Sequence, residues 1–136
     1  MDRELYDRAR AARQHAHAPY SRFPVGAALR TEGGSVHVGC NVENASYPEG
    51  WCAETSAIAA MIAAGTTPAD RRIAAICVTA EKIGGNLTTP CGGCRQRLAE
   101  FSGPDTLVHV SDPEGNSKTY RLRELLPAAF ALDARP

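Results

Sequence analysis

The stretch CAETSAIAAMIAAG at residues 52–65, followed by IAAICVT at residues 73–79, decides the fold class of this 136-residue chain. The first segment is rich in alanine, the strongest helix former, and a helix is expected to end at Gly65. The second segment is a short, continuous apolar run, which is typical of a buried strand. A helix followed by a buried strand indicates an α/β layered domain.

Segments on both sides extend this alternation. The N-terminal segment lacks Gly and Pro and has apolar side chains at helical spacing, and Gly33-Gly34 predicts a hairpin turn between two strand-like runs. The predicted helices cover 2–15, 52–64, 91–100, 122–126 and a short segment after Pro127; the predicted strands cover 25–31, 36–42, 73–79, 106–111 and 117–121. We therefore expect a single domain over residues 1–136, built on a mixed sheet of about five strands.

The composition argues against several classes of partner. Fifteen Lys and Arg residues balance fifteen Asp and Glu residues, so there is no overall positive charge to attract nucleic acid or an anionic membrane surface. Residues 1–13 mix charges where a signal peptide has its apolar core, and no stretch approaches the roughly 20 apolar residues of a membrane span. We expect a cytoplasmic protein whose five cysteines are thiols or metal ligands rather than disulfides.

Two short motifs carry the chemistry, and each stands where a loop is predicted to enter a helix. They are Cys52-Ala53-Glu54 and Pro90-Cys91-Gly92-Gly93-Cys94. A Cys-x-x-Cys pair directs two sulfurs at one point, and a third thiolate would complete a three-ligand site. Three protein ligands plus a water are the pattern of a catalytic zinc, whereas four closed ligands mark a structural one. Helix N-termini also favour the thiolate form that a metal requires.

The structural-zinc alternative needs a fourth ligand. Cys40 and Cys77 lie inside apolar strand patterns and are expected to be small core residues. The four histidines, His15, His17, His37 and His109, do not stand at zinc-finger spacing from the Cys-x-x-Cys pair. Glu54 favours the catalytic interpretation, because a carboxylate two residues from a ligand can face the open metal position and take a proton from the water there.

Longer motifs resemble the small homotetrameric cytidine deaminases. These are PYSRFPVGAA at 19–28, GCNVENASY at 39–47, PCGGCRQ at 90–96 and LLPAAF at 125–130, and the resemblance runs from about residue 4 to residue 132. The cysteine and glutamate motifs are also the all-cysteine form of the zinc deaminase signature. The resemblance implies a three-layer sandwich with helices flanking the sheet.

The implied reaction is hydrolytic deamination of cytidine and 2′-deoxycytidine to uridine and 2′-deoxyuridine plus ammonia, a step of pyrimidine salvage. By resemblance, Cys52, Cys91 and Cys94 hold Zn²⁺, while Glu54 deprotonates the attacking water, protonates ring N3 and later protonates the amine leaving C4. The resemblance also implies the substrate contacts: Phe23 packs on the pyrimidine, and Asn41 and Glu43 bind the ribose. The Ala53 backbone N–H meets the base carbonyl, and the Thr89 backbone carbonyl accepts from the amino group. Tyr47 and Phe130 reach into the site of a neighbouring subunit. Shared active sites imply a homotetramer.

One position departs from the family pattern. Many members carry Arg directly after the catalytic Glu, where it hydrogen-bonds the zinc thiolates, and this chain has Thr55. Arg95, adjacent to Cys94, is the cation that we expect to offset the surplus thiolate charge instead. Two other substrates stay open. One is a modified, blasticidin-type cytosine nucleoside. The other is a base in single-stranded nucleic acid, although the neutral net charge and the 6% aromatic content disfavour this second alternative.

Overall fold

Five strands form one mixed sheet in the computed structural model, which describes residues 1–133. The elements in chain order are α1 (Arg3–Arg13), β1 (Val25–Thr31), β2 (Val36–Cys40), α2 (Ala53–Ala64), β3 (Ile73–Ala80), α3 (Gly92–Glu100), β4 (Leu107–Ser111), β5 (Ser117–Arg121) and α4 (Leu122–Leu125), with short 3₁₀ turns at Tyr47–Glu49 and Ala69–Arg71. The strand order is β2-β1-β3-β4-β5, which confirms the predicted fold class.

The sheet is antiparallel except at its centre, where β3 pairs with β4 in parallel. A parallel pair needs a crossover connection, and α3 lies on it. The β1–β2 hairpin turns through Gly34, whose φ of 96° is the left-handed region open to glycine. The crossover brings the start of α3 to the end of the sheet where β3 finishes.

Helices cover the two faces of the sheet as the period-two pattern of β1 requires. Leu5 and Ala9 of α1 pack with Ala28 on one face. Ala27 and Leu29 point to the opposite face, into a larger core. That core is completed by Ala57 and Met61 of α2, Leu98 of α3, and Leu122 and Leu125 of α4. Placing α2 and α3 on the same face positions the site.

The structure differs from the predicted elements in one terminal helix and in the exact ends of several others. The helix predicted after Pro127 is wrong for residues 127–133, which form none. Strand β2 stops at Cys40, because the Asn41 carbonyl accepts from His17 N and the Asn41 side-chain oxygen takes its place on Val25 N, at the start of β1. Within the described part of the chain, no helix has the length and apolar character needed to cross a membrane.

Candidate active site

The three motif cysteines lie at the N-termini of two neighbouring helices. Cys52 is the N-cap of α2 and Cys91 is the N-cap of α3, both with extended backbone, and Cys94 lies in the first turn of α3. Each cap carbonyl accepts the first helical hydrogen bond, from Ser56 N at 3.1 Å and from Arg95 N at 2.9 Å. The positive ends of both helix dipoles therefore meet at the sulfurs.

The sulfur cluster suits a zinc ion. The Sγ atoms of Cys52, Cys91 and Cys94 all lie within 4.8 Å of one another. Zinc–sulfur bonds of about 2.3 Å at tetrahedral angles place two ligand sulfurs about 3.8 Å apart, a spacing that falls within this limit. No fourth ligating side chain joins this cluster among residues 1–133, and the buried Cys77 thiol instead faces Ser111 Oγ at 3.6 Å. The donor set is that of a catalytic zinc with one open position.

The thiols of Cys52 and Cys94 differ in their pKa. The hydrogen bond from the Cys94 thiol lowers the pKa of Cys52 to about 6 against the opposing effect of burial, and the positive charge of Arg97 and a hydrogen bond with Cys91 add to the lowering. The same hydrogen bond, together with burial and the charge of Glu54, raises the pKa of Cys94. The thiolate is thus favoured at Cys52.

Glu54 is enclosed beside this cluster. Only 4% of the residue is exposed, although it carries a carboxyl group. Burial raises its pKa, and the thiolate of Cys52 raises it further, against a backbone hydrogen bond, the Cys94 thiol and the charge of Arg97. A carboxyl group whose pKa is raised holds a proton more readily, which suits a group that has to accept a proton and return it.

A cavity of about 310 Å³ opens onto these groups. Its lining contains nine of the residues singled out from the sequence: Asn41, Glu43, Tyr47, Cys52, Ala53, Glu54, Thr89, Cys91 and Cys94. Carboxylate, sulfurs and polar side chains therefore converge on one space large enough for a small molecule.

Asn41 and Glu43 organise the backbone beside this cavity. Asn41 Oδ1 accepts from Val25 N at 2.9 Å and its Nδ2 donates to Phe23 O at 2.9 Å. The Glu43 carboxylate accepts from Tyr20 N at 3.0 Å and from the Ser21 backbone and hydroxyl groups. A carboxylate has about four acceptor positions and an amide two donors, so both side chains keep capacity for a ligand.

Two of the aromatic residues singled out from the sequence lie away from the cavity. Phe23 is half-buried and is absent from the lining. Phe130 is 66% exposed, and its carbonyl accepts from Gln96 Nε2 at 3.1 Å. Neither ring contributes to the wall of this cavity.

The placement of Arg95 corrects the expectation that it lies against the thiolates. Its Nε donates to Pro90 O at 2.7 Å, and its Nη atoms donate to Leu125 O at 2.8 Å and Thr89 Oγ1 at 3.0 Å. All its nitrogens thus bind oxygen and tie the Thr89–Pro90 loop to α4. Arg97 Nη1 is the group that donates to a cluster sulfur, Cys94 Sγ, at 3.7 Å.

The sequence reasoning missed Arg97 and several residues of the cavity wall, among them Trp51. Helical side chains lean toward the N-terminus, so an Arg three residues after Cys94 can reach back to the sulfur, and this spacing was the available signal. Trp51 lines the cavity and exchanges two backbone hydrogen bonds with Val42, at 2.8 and 2.9 Å. That pairing holds the 41–43 segment beside the start of α2.

The comparisons with known proteins agree with this chemistry. The model of the cytidine and deoxycytidylate deaminase zinc-binding region matches residues 1–110. Cytidine deaminase from Halalkalibacterium halodurans is 42% identical over 134 residues, which cover 98% of this chain and 97% of the relative. Cytidine deaminase from Sporosarcina psychrophila is 39% identical over 132 residues, covering 96% and 93%.

The fold comparison gives the same result. The crystal structure of cytidine deaminase from Burkholderia pseudomallei superposes with a TM-score of 0.86 at 44% identity, covering 96% of this chain and 99% of that one. Cytidine deaminase from Mycobacterium tuberculosis superposes with a TM-score of 0.80 at 38% identity, covering 97% and 99%. Since the family match spans most of the chain and the relatives align nearly end to end, the chain belongs to the cytidine and deoxycytidylate deaminase family.

Proposed function

We propose that this protein hydrolyses the exocyclic amine of cytidine and 2′-deoxycytidine, giving uridine or 2′-deoxyuridine and ammonia. The observation that carries the proposal is the buried carboxyl of Glu54 beside the three-sulfur cluster, in a cavity also lined by Asn41 and Glu43. Proton transfer, metal binding and hydroxyl recognition are the three capacities that this reaction requires, and one cavity supports all three.

Cys52, Cys91 and Cys94 would hold zinc. When bound there, zinc supplies a Lewis acid that brings the pKa of water toward neutrality. Glu54 takes the proton of the attacking water and passes it to ring N3 as the new C4–O bond forms. It then takes the remaining proton from the new C4 hydroxyl and delivers it to the amine, so that the C4 carbonyl forms as the C4–N bond breaks and ammonia leaves.

Substrate binding uses the polar rim of the cavity. Asn41 and Glu43 bind the ribose hydroxyls with the hydrogen-bonding capacity that their backbone contacts leave free. The Ala53 N–H and the Thr89 carbonyl meet the base carbonyl and the amino group; both residues line the cavity. Arg95 fixes Thr89 through its side-chain oxygen, which steadies this edge of the cavity.

The assembly that we propose is a homotetramer with shared active sites. Tyr47 is 76% exposed at the cavity rim, and Phe130 is 66% exposed, which suits contacts to neighbouring subunits. Sedimentation equilibrium tests the tetramer directly, and a monomeric, fully active enzyme would reject it. Free thiols and the nucleoside chemistry fit a role in pyrimidine salvage in the reducing cytoplasm.

The deaminase proposal is tested by following the loss of cytidine absorbance as uridine forms, for wild type, Glu54→Gln and Glu100→Gln. Glu100 is an exposed carboxylate at the end of α3 and is the matched control. We expect turnover by wild type and the control, and a loss of at least about 10²-fold in Glu54→Gln, as for removal of a general acid–base. Equal turnover by all three would reject the mechanism, and a folded, zinc-loaded wild type without turnover would reject the substrate.

A further inference from the structure

Three thiolates around one zinc ion leave one net negative charge, and the helix N-termini of α2 and α3 offset only part of it. Thr55, directly after Glu54, does not supply the remainder. Its hydroxyl is neutral, and its buried Oγ1 has no hydrogen-bond partner among residues 1–133, so it donates to none of the cluster sulfurs. Another group has to provide positive charge if the site is to hold zinc firmly.

Arg97 lies where that charge is needed. Its Nη1 donates to Cys94 Sγ at 3.7 Å, and Cys94 itself is fully buried. The guanidinium also lies over Gly93: a Cβ built there would be 3.3 Å from Arg97 Nη1 and 3.9 Å from Cys91 Sγ. The space beside Gly93 therefore adjoins the guanidinium and Cys91 Sγ, and the guanidinium in turn donates to Cys94 Sγ.

Gly93 keeps this space open. A side chain at position 93 would compete with the guanidinium, because 3.3 Å is tighter than ordinary van der Waals contact. The i to i+4 spacing of Gly93 and Arg97 on α3 lets the long side chain lie back along the helix toward its N-terminus. Arg95, one position after Cys94, has its nitrogens bound to oxygens and takes no part.

We propose that Arg97 is a positioning residue that holds the Cys94 thiolate and offsets the negative charge of the zinc cluster, from α3, in place of a cation after Glu54. The proposal rests on the zinc site of the proposed function. Groups that hydrogen-bond metal ligands typically change metal affinity by about 10- to 100-fold when they are removed. Arg97 is exposed and partly screened by water, so we expect the lower end, about tenfold.

The test measures zinc release to a chromogenic chelator from zinc-loaded wild type, Arg97→Gln, Arg97→Lys and Arg10→Gln. Arg10 is an exposed arginine on α1, which packs on the opposite face of the sheet from α3, and it is the matched control for loss of one positive charge. We expect zinc loss about tenfold faster in Arg97→Gln, a smaller change in Arg97→Lys, and none in the control. Unchanged release from Arg97→Gln, or equal acceleration by the Arg10 control, would overturn the inference.

Salt separates the charge effect from a general loosening of the fold. The Debye length falls from about 10 Å at 0.1 M salt to about 3 Å at 1 M, so salt weakens an exposed charge interaction. Zinc loss from wild type should therefore accelerate with salt and approach that of Arg97→Gln, which should itself change little. Parallel salt dependence in both would refute the charge role. Wild type that takes up no zinc would instead overturn the proposed function.

Discussion

Gly39→Ala should displace α2, the helix that carries Glu54, from the sheet. Gly39 lies on β2, and α2 packs directly against its Cα: a Cβ at this position would lie 2.5 Å from Ala57 N, 2.6 Å from Ala53 O and 2.7 Å from Ser56 Cβ. Two of these atoms belong to the α2 backbone and cannot rotate away. Ordinary contact begins near 3.4 Å, so the helix has to retreat by about 1 Å at its first turns.

That retreat has a cost in stability and a larger one in activity. Overpacking of this kind costs typically 1–3 kcal/mol of unfolding free energy, and we expect about 2 kcal/mol. The displaced turn carries Glu54 and follows Cys52, so both shift relative to Cys91 and Cys94 on α3. A misplacement of about 1 Å at a reacting centre is worth about 10²-fold in rate.

Gly26→Ala is the matched control. Its added Cβ would overlap Ala9 O and lie 2.6 Å from Arg13 N, which displaces α1 on the opposite face of the sheet. Both variants should lower the denaturant midpoint, whereas kcat and zinc content should fall mainly in Gly39→Ala. Equal kcat losses per unit of destabilisation would refute the argument that α2 packing at Gly39 places the site.

Three further perturbations test other parts of the structure. Hydrogen bonds from Asn116 hold the pKa of the buried Asp112 carboxyl below 3.8 although burial opposes this. Its contribution is therefore full above about pH 5 and is lost as the pH falls through the lowered pKa. Asp112→Ala should cost about 3 kcal/mol at pH 7 by chemical denaturation, and this cost should shrink progressively as the pH falls below the unfolded-state pKa. Tyr6→Phe removes a hydroxyl that donates at 3.1 Å to the Asp112 and Pro113 carbonyls, and should cost about 1 kcal/mol without changing kcat. Removing zinc with a chelator should lower the melting temperature and abolish turnover, and both should return on adding zinc; an unchanged melt would contradict ligation by the folded state.

The fold class followed from the sequence because each element repeats a strong local signal. The alanine-rich α2 ends at Gly65 as expected, and the apolar β3 continues one residue further, to Ala80. The helix predicted after Pro127 failed, since composition alone does not show whether a short segment has a surface to pack against. Element ends depend on side-chain bonds such as those of Asn41, which periodicity does not encode.

The candidate site could be predicted for residues whose place depends on a helix start that the sequence itself marks. The motifs and the predicted helix starts place Cys52, Cys91 and Cys94 at helix N-termini. The sulfurs meet because α2 and α3 are neighbours on one face of the sheet. The choice between Arg95 and Arg97 required the direction of each side chain around α3. Adjacency in sequence favoured Arg95, whereas helical geometry brings the i+3 residue over Cys94.

Asn41 and Glu43, which we propose bind the ribose, also order the chain around the start of β1. Their side chains hold the backbone at Tyr20, Ser21, Phe23 and Val25 whether or not a ligand is bound. A ribose that shares these oxygens and amide protons therefore meets groups already fixed by the protein, and loses little binding energy to ordering them. It follows that Asn41→Ala removes two backbone anchors together with the proposed substrate contact. Its effect should appear in both stability and KM, because one side chain serves the loop and the substrate.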